Sequence, residues 1–229
     1  MFAELARVMD HAAQDDSYLE SLKENVTNKS TKSNQGKTLR YLTQLYGFEH
    51  TEPAFKCFKY FWQQAAETDK PILTLQYALS KDYLLSESIP VVLSTPIGEK
   101  VPIGKLEANI EALHPGRFSD NTRRSIAQNI ASSWKQAGYI TGKVKNIRTQ
   151  AHPGYLVVTL ALLLSYLNGD RGDFILKSKW VKALGIGEEQ VRELAFEAAK
   201  RDLLQYQFAG AVTAITFSNL LNKLDIHGI

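Results

Sequence analysis

A chain of 229 residues, 44% apolar and 22% charged, has room for one large domain or two small ones and the composition of an ordinary soluble protein. Its single cysteine, Cys57, excludes an intramolecular disulfide and suits a reducing cytoplasm. The net charge is only +3, so an anionic partner would have to be met by a local concentration of cations.

Residues 2–26 read as two short helices, with Phe2, Leu5, Ala6 and Met9 on one apolar stripe and Tyr18, Leu19, Leu22 and Val26 on the next. Glu4 and Asp10 interrupt the first stripe, which argues against a signal peptide. The charge sign then reverses. Between Thr27 and Arg40 stand Lys29, Lys32, Lys37 and Arg40 with no acid, among hydroxyls and amides that suit phosphate oxygens. A polar turn between helices explains them equally well. Ser30 or Ser33 is expected to cap a helix running through Leu39, Leu42 and Leu45 to Gly47. The Gly36-Lys37-Thr38 triplet lacks the upstream glycine and strand of a nucleotide-binding loop.

From Pro53 to Ala66, Phe55, Cys57, Phe58, Tyr60, Phe61 and Trp62 crowd one helix almost all round, the pattern of a buried helix rather than of a base-stacking platform. Pro71 opens another helix carrying Ile72, Leu75, Tyr77, Ala78 and Leu79. The apolar pattern continues to Val92, with a kink expected at Pro90. Residues 95–104 hold two prolines and two glycines and read as the clearest loop.

A helix with Leu106, Ile110 and Leu113 follows and stops at Pro115-Gly116. Ser119 then caps a helix whose Ile126, Ile130 and Trp134, with Ala127, Ala131 and Ala137, face inward. That placement turns Asn121, Arg124, Ser125, Gln128, Ser132 and Lys135 outward. Gly138 ends the helix, and residues 139–141 and 144–148 read as a hairpin turning at Gly142-Lys143. Residues 117–150 carry seven basic side chains against Asp120 alone. Helix, turn, helix and basic hairpin in this order resemble a winged helix-turn-helix, which puts its second helix in the major groove and its hairpin along the backbone. The DNA-binding set expected is Asn121, Arg123, Arg124, Ser125, Gln128, Ser132, Lys135, Lys143, Lys145 and Arg148, extended by Lys29, Lys32, Lys37 and Arg40. A solvated helix and hairpin whose charges only maintain solubility is the competing reading.

Beyond Pro153, the apolar run Tyr155 to Leu167 has 13 residues, short of the roughly 20 needed to cross a bilayer, so it reads as a buried helix. A short helix over Leu176, Trp180, Val181 and Leu184 and another from Glu188 to Arg201 lead into a second hairpin, 203–208 with 212–217, turning at Ala209-Gly210-Ala211. The order helix, turn, helix, hairpin thus occurs twice. The second copy is charge-balanced, and Arg192 and Phe196 on its outer face suit a protein partner better than DNA. The fold expected is mainly α with short β-hairpins: an N-terminal helical bundle (1–94), a central winged helix-turn-helix-like unit (95–150) and a C-terminal winged-helix-like unit (151–229).

Three stretches resemble the BrxA family, the small non-enzymatic component of BREX phage-exclusion systems. They are the Asn25-Val-Thr-Asn-Lys-Ser-Thr31 junction leading into Leu39-Arg40-Tyr41-Leu42, the helix from Asn121 to Gly138, and the C-terminal winged unit. The resemblance implies a largely helical, cytoplasmic DNA-binding accessory protein working beside larger methyltransferase, ATPase and phosphatase-like BREX proteins. The residues alone leave a winged-helix transcriptional regulator or an assembly adaptor open. His11, His50, His114, His152 and His227 are scattered singly, and no nucleophile elbow, dinucleotide fingerprint or cysteine pair occurs. No catalytic residue, metal, cofactor or membrane contact is expected.

Overall fold

The computed structural model describes residues 2–13, 15–48, 52–209 and 212–228, and is mainly helical with two small antiparallel sheets. The N-terminal helices α1 (Phe2–His11) and α2 (Tyr18–Lys23) bury Leu5, Val8, Met9, Tyr18 and Leu22. The helix α3 (Lys32–Tyr46) starts after Thr31, whose hydroxyl accepts from the Asn34 amide at 3.2 Å. Neither Ser30 nor Ser33 is the cap. Thr31 has the extended backbone that aims a side-chain oxygen at the third amide of the helix, and Gly47 closes the helix with φ 69°.

The aromatic run forms α4 (Pro53–Gln64), with Phe55, Phe58, Phe61 and Trp62 buried. Their rings meet Tyr18, Tyr46, Phe48 and Tyr77, so this helix is core. The next helix, α5 (Lys70–Lys81), is buried without a break from Ile72 to Leu79. The expected kink separates α6 (Tyr83–Glu87) from α7 (Ile89–Leu93) at Ser88, because Pro90 has no amide to continue the ladder.

In the central unit α8 (Ile103–Leu113) packs on α9 (Asp120–Gln136). After α9, β1 (Ile140–Thr141) pairs with β2 (Ile147–Arg148), Ile140 opposite Arg148 and Thr141 opposite Ile147. The turn therefore spans 142–146 rather than Gly142-Lys143 alone. A two-residue turn of the favoured type needs positive φ at both positions, which Gly142 takes but a lysine resists. The chain instead reverses again at Asn146, φ 51°, a residue that tolerates that conformation. The proline-rich segment expected to be a loop runs along β2. The Gly98 amide donates to the Arg148 carbonyl at 2.9 Å, the Arg148 amide to Glu99 at 2.8 Å, and the Val101 amide to Asn146 at 2.8 Å. Pro96 and Pro102 flank this paired stretch rather than fall inside it.

The apolar run is α10 (Tyr155–Leu167), buried from Leu156 to Ser165. Two helices, α11 (Asp173–Leu176) and α12 (Lys179–Ala183), replace the single one expected, because the Ser178 hydroxyl accepts from the Val181 amide at 3.3 Å and starts a new helix. Then come α13 (Glu188–Lys200) and the hairpin β3 (Gln205–Ala209) with β4 (Val212–Thr216), Gln205 opposite Thr216. The expected turn residues Gly210 and Ala211 lie outside the described residues. A last helix, α14 (Ser218–Lys223), buries Leu220 and Leu221. It is too short for a periodic pattern to reveal.

The core is one contiguous cluster shared by all three segments. Within it α10 packs on α4, α5, α12 and α13. The segments also meet at one junction. Trp134 of α9 is fully buried, and its indole N–H donates to the Ser88 hydroxyl at 2.7 Å, at the α6–α7 break. Its ring meets Tyr139 edge-on, with centroids 5.1 Å apart, and the Tyr139 hydroxyl donates to the Leu184 carbonyl of the C-terminal unit at 3.0 Å. Gly185 closes this junction. Its φ is +66°, and a Cβ there would lie 3.2 Å from the Tyr139 ring and 3.3 Å from Arg148 Nη2. Gly185→Ala should therefore lower stability by about 1–3 kcal/mol, through backbone strain and crowding together. Urea unfolding should show an earlier midpoint, and an unchanged midpoint would contradict the junction as described.

Candidate nucleic-acid interface

The α8–α9 pair is built by a tight turn and a cap. Gly116 has φ 67° and its amide donates to Glu111 Oε1 at 3.0 Å, while the Ser119 hydroxyl accepts from the Thr122 amide at 3.4 Å. Ala127, Ile130, Ala131, Trp134 and Ala137 are buried, with Ile126 half-buried at the margin. Asn121, Arg124, Ser125, Gln128 and Ser132 are exposed.

Three of the expected cations are engaged internally. Arg123 is half-buried and forms ion pairs with Glu111 and, at 2.6 Å, with Asp120. Lys135 donates to the Asn146 Oδ1 at 2.9 Å and so fastens α9 to the wing. Arg148, expected along the DNA backbone, is 3% exposed. Its Nη1 donates to the Tyr139 carbonyl at 3.2 Å and to the Thr149 carbonyl, and burial lowers its pKa from the ordinary arginine value. Strand alternation accounts for this, because β2 aims Arg148 at the core and leaves its neighbour Ile147 partly exposed.

Lys143 and Lys145 remain exposed at the wing tip on either side of Val144, which is 82% exposed. Lys100, also exposed, joins this hairpin through an isolated bridge to Ile147. Arg117 is exposed in the α8–α9 turn, its guanidinium 5.5 Å from the Tyr83 ring and 5.4 Å from the Phe118 ring. No local pattern marks Lys100, since only the pairing of residues 98–101 with β2 brings it beside the hairpin. Arg117 was visible within the basic segment, but its neighbour Tyr83 lies far away in sequence.

The N-terminal cations are also divided. Lys29 Nζ lies 2.5 Å from Glu4 Oε1, and the Lys29 amide donates to Asn25 Oδ1 at 2.9 Å, so this residue braces the junction before α3. Lys32, Lys37 and Arg40 are exposed along the helix α3, Lys32 in its first turn. Next to them opens a groove of about 710 Å³, walled by α3, α5, α6 and α9, and Ser132 faces into it.

In the C-terminal unit Arg192 is a clasp. It reaches Glu188 at 2.7 Å, the Tyr206 hydroxyl and Thr213 Oγ1 at 3.0 Å each, and Asp173 at 3.8 Å, joining α13 to the hairpin and to α11. Phe196 is 53% exposed, as are Phe174 at 73% and Phe208 at 55%. His11 bonds Ser21, His114 lies 2.8 Å from Glu87, and His50 lies outside the described residues. Among the described residues no group of His, Cys, Asp and Glu side chains could hold a metal, and no helix is long and apolar enough to cross a membrane.

No family model, curated protein or solved structure matches the chain.

The Glu4–Lys29 pair makes stability depend on acid. Burial by itself would raise the Glu4 pKa, but the Lys29 hydrogen bond, a backbone hydrogen bond and nearby positive charge, that of Lys29 included, outweigh it and hold the carboxyl at about 2, against an ordinary 4.5. A depressed folded pKa contributes stability above the unfolded value and loses it as pH falls toward the folded one. Stability should therefore drop by about 1–2 kcal/mol between pH 4.5 and 2 after solvent screening is allowed for, and Glu4→Gln should flatten that part of the profile. An identical acid limb in the variant would remove the pair as its cause.

Proposed function

We propose that the protein binds duplex DNA through α9 and the β1–β2 hairpin that follows it as a wing, chiefly by phosphate contacts, and catalyses no reaction of its own. The observation that supports this reading is a set of exposed cations, Lys100, Arg117, Arg124, Lys143 and Lys145, on contiguous elements of one helix-turn-helix and wing, with no ion pair among the described residues. Asn121, Ser125 and Gln128 stand exposed on the same helix as donors and acceptors. Cations at phosphates release counterions, so binding of this kind is strongly salt-dependent and tolerant of sequence. The resemblance to the BrxA family extends the reading to an accessory role in phage exclusion, in the cytoplasm and beside larger BREX proteins.

The test is the salt dependence of duplex binding. Lys143→Ala with Lys145→Ala should weaken binding to any duplex and reduce the slope of log affinity against log salt by about 2, close to one unit per phosphate contact. Arg148→Ala should act differently, lowering stability before it changes the slope, because its guanidinium holds buried carbonyls. An unchanged slope in the lysine pair would dismiss the wing as a DNA contact.

A second reading, an assembly adaptor docking through the C-terminal unit, is favoured by the exposed Phe174, Phe196 and Phe208 around the Arg192 clasp. Single exposed apolar residues are common, but three large rings on neighbouring elements are a patch of the kind that marks interfaces. Phe196→Asp should leave duplex affinity intact and abolish co-purification with the products of neighbouring genes. Undiminished co-purification would exclude Phe196 from such an interface.

A further inference from the structure

The groove beside α9 has a lining of its own kind. Its floor is apolar, with Leu75, Ala78 and Leu85 buried. One wall is α3 with Tyr41 and Gln44, and the other is the C-terminal half of α9 with Asn129, Ser132 and Ser133. Two half-exposed tyrosines line it, Tyr41 at 46% and Tyr83 at 44%. Each carries an arginine on its ring: Arg40 lies 5.0 Å from the Tyr41 centroid, and Arg117 5.5 Å from that of Tyr83. The two acidic or basic lining groups are already satisfied. Asp82 accepts from the Leu85 amide and Lys81 pairs with Glu52. Asp82 keeps its charge, so a strand's phosphates would meet cations at the rim of the groove rather than along its floor.

We infer that this groove holds an unpaired stretch of a DNA strand, its bases stacking on Tyr41 and Tyr83 and its phosphates meeting Arg40 and Arg117. Aromatic rings interleaved with guanidinium groups are how proteins hold single strands without reading sequence, since every base has a face to stack. Amides and hydroxyls along both walls offer bonds to base edges exposed only when the strand is unpaired. Size separates the strand from the duplex. A concavity of about 710 Å³ is on the scale of a small-ligand pocket and accepts one or two nucleotides, not a double helix. Charge supplies the entry, because the exposed Lys37 stands one helical turn before Tyr41 on α3. A peptide strand is less well suited, since the groove is walled by helices and offers no sheet edge to extend. The choice of DNA over RNA rests on the proposed duplex reading: Arg117 belongs to the turn before α9 and lies 5.5 Å from the ring of Tyr83, which lines the groove, so a strand leaving a bound duplex has a short path into it.

The test is fluorescence anisotropy with the full chain and three labelled probes: a short oligothymidylate, an oligouridylate of the same length, and a duplex. Tyr41→Ala with Tyr83→Ala should weaken oligothymidylate binding at least tenfold, stacking being worth roughly five- to a hundredfold per ring, and leave duplex binding unchanged. Tyr41→Phe with Tyr83→Phe should bind as the parent does. Gln44→Glu, an exposed change that adds one negative charge to the wall, should weaken oligothymidylate binding without disturbing the fold. Lys143→Ala with Lys145→Ala should do the reverse and lose only the duplex. Tyrosine-dependent binding of oligothymidylate in a protein that ignores the duplex would overturn the duplex reading and keep the groove. Oligothymidylate binding that is absent or indifferent to both tyrosines, or equal losses on strand and duplex, would overturn the groove. Tighter binding of oligouridylate would overturn the assignment to DNA.

Discussion

The Trp134–Tyr139 pair is the contact on which the arrangement of the three segments depends. Trp134 belongs to α9, donates to Ser88 between α6 and α7, and stacks edge-on with a tyrosine that donates to Leu184 in the C-terminal unit. An edge-to-face pair contributes about 0.5–1.5 kcal/mol beyond its buried area. Its larger consequence is geometric. Two buried polar groups, the indole N–H and the phenol, each have one available partner, so α9 can sit in only one orientation without leaving a donor unsatisfied. The helix α9, the β1–β2 hairpin and the C-terminal segment are thereby set relative to one another by two hydrogen bonds and one ring contact.

That orientation decides which cations are available to an anion. Arg148 lies against Tyr139 and serves the junction, and Arg123 and Lys135 serve the turn before α9 and the wing after it. What is left for a partner is the exposed remainder, Arg117 and Arg124 near the start of α9 and Lys100, Lys143 and Lys145 on the wing. Internal use of the first group is what holds the second in place. A cation bound to a buried carbonyl has already exchanged its water for a protein partner and has little to gain from a phosphate. Arg192 repeats this logic in the C-terminal unit, where one guanidinium joins α11, α13 and the second hairpin, and the exposed rings beside it are left as the surface.

The N-terminal helices contribute a wall of the groove beside α9. Lys29 closes on Glu4, while Tyr41 and Gln44 of α3 line the groove whose opposite wall is α9. The aromatic residues of α4, by contrast, are wholly committed to the core, packed ring on ring with Tyr46 and Tyr77. Exposure, not aromatic content, distinguishes the rings that can stack on a base.

The sequence by itself did not reveal the split of α11 from α12 or the short α14, but it determined the longer helices, the caps at Ser119 and Gly47, the buried run of α10, and the order of helix, turn, helix and hairpin around α9. These follow from periodicity and local hydrogen bonding, which act over a few residues and leave a pattern that can be read directly. It also placed Asn121, Arg124, Ser125 and Gln128 on an outward face, because an amphipathic helix has only two sides. Only the tertiary structure decided that residues 98–101 pair with β2, that Arg148 turns inward, and that Tyr83 meets Arg117. Each of these joins residues far apart in the chain or depends on the phase of a two-residue strand. A charge count weighs a buried guanidinium and an exposed one alike, and packing alone tells them apart.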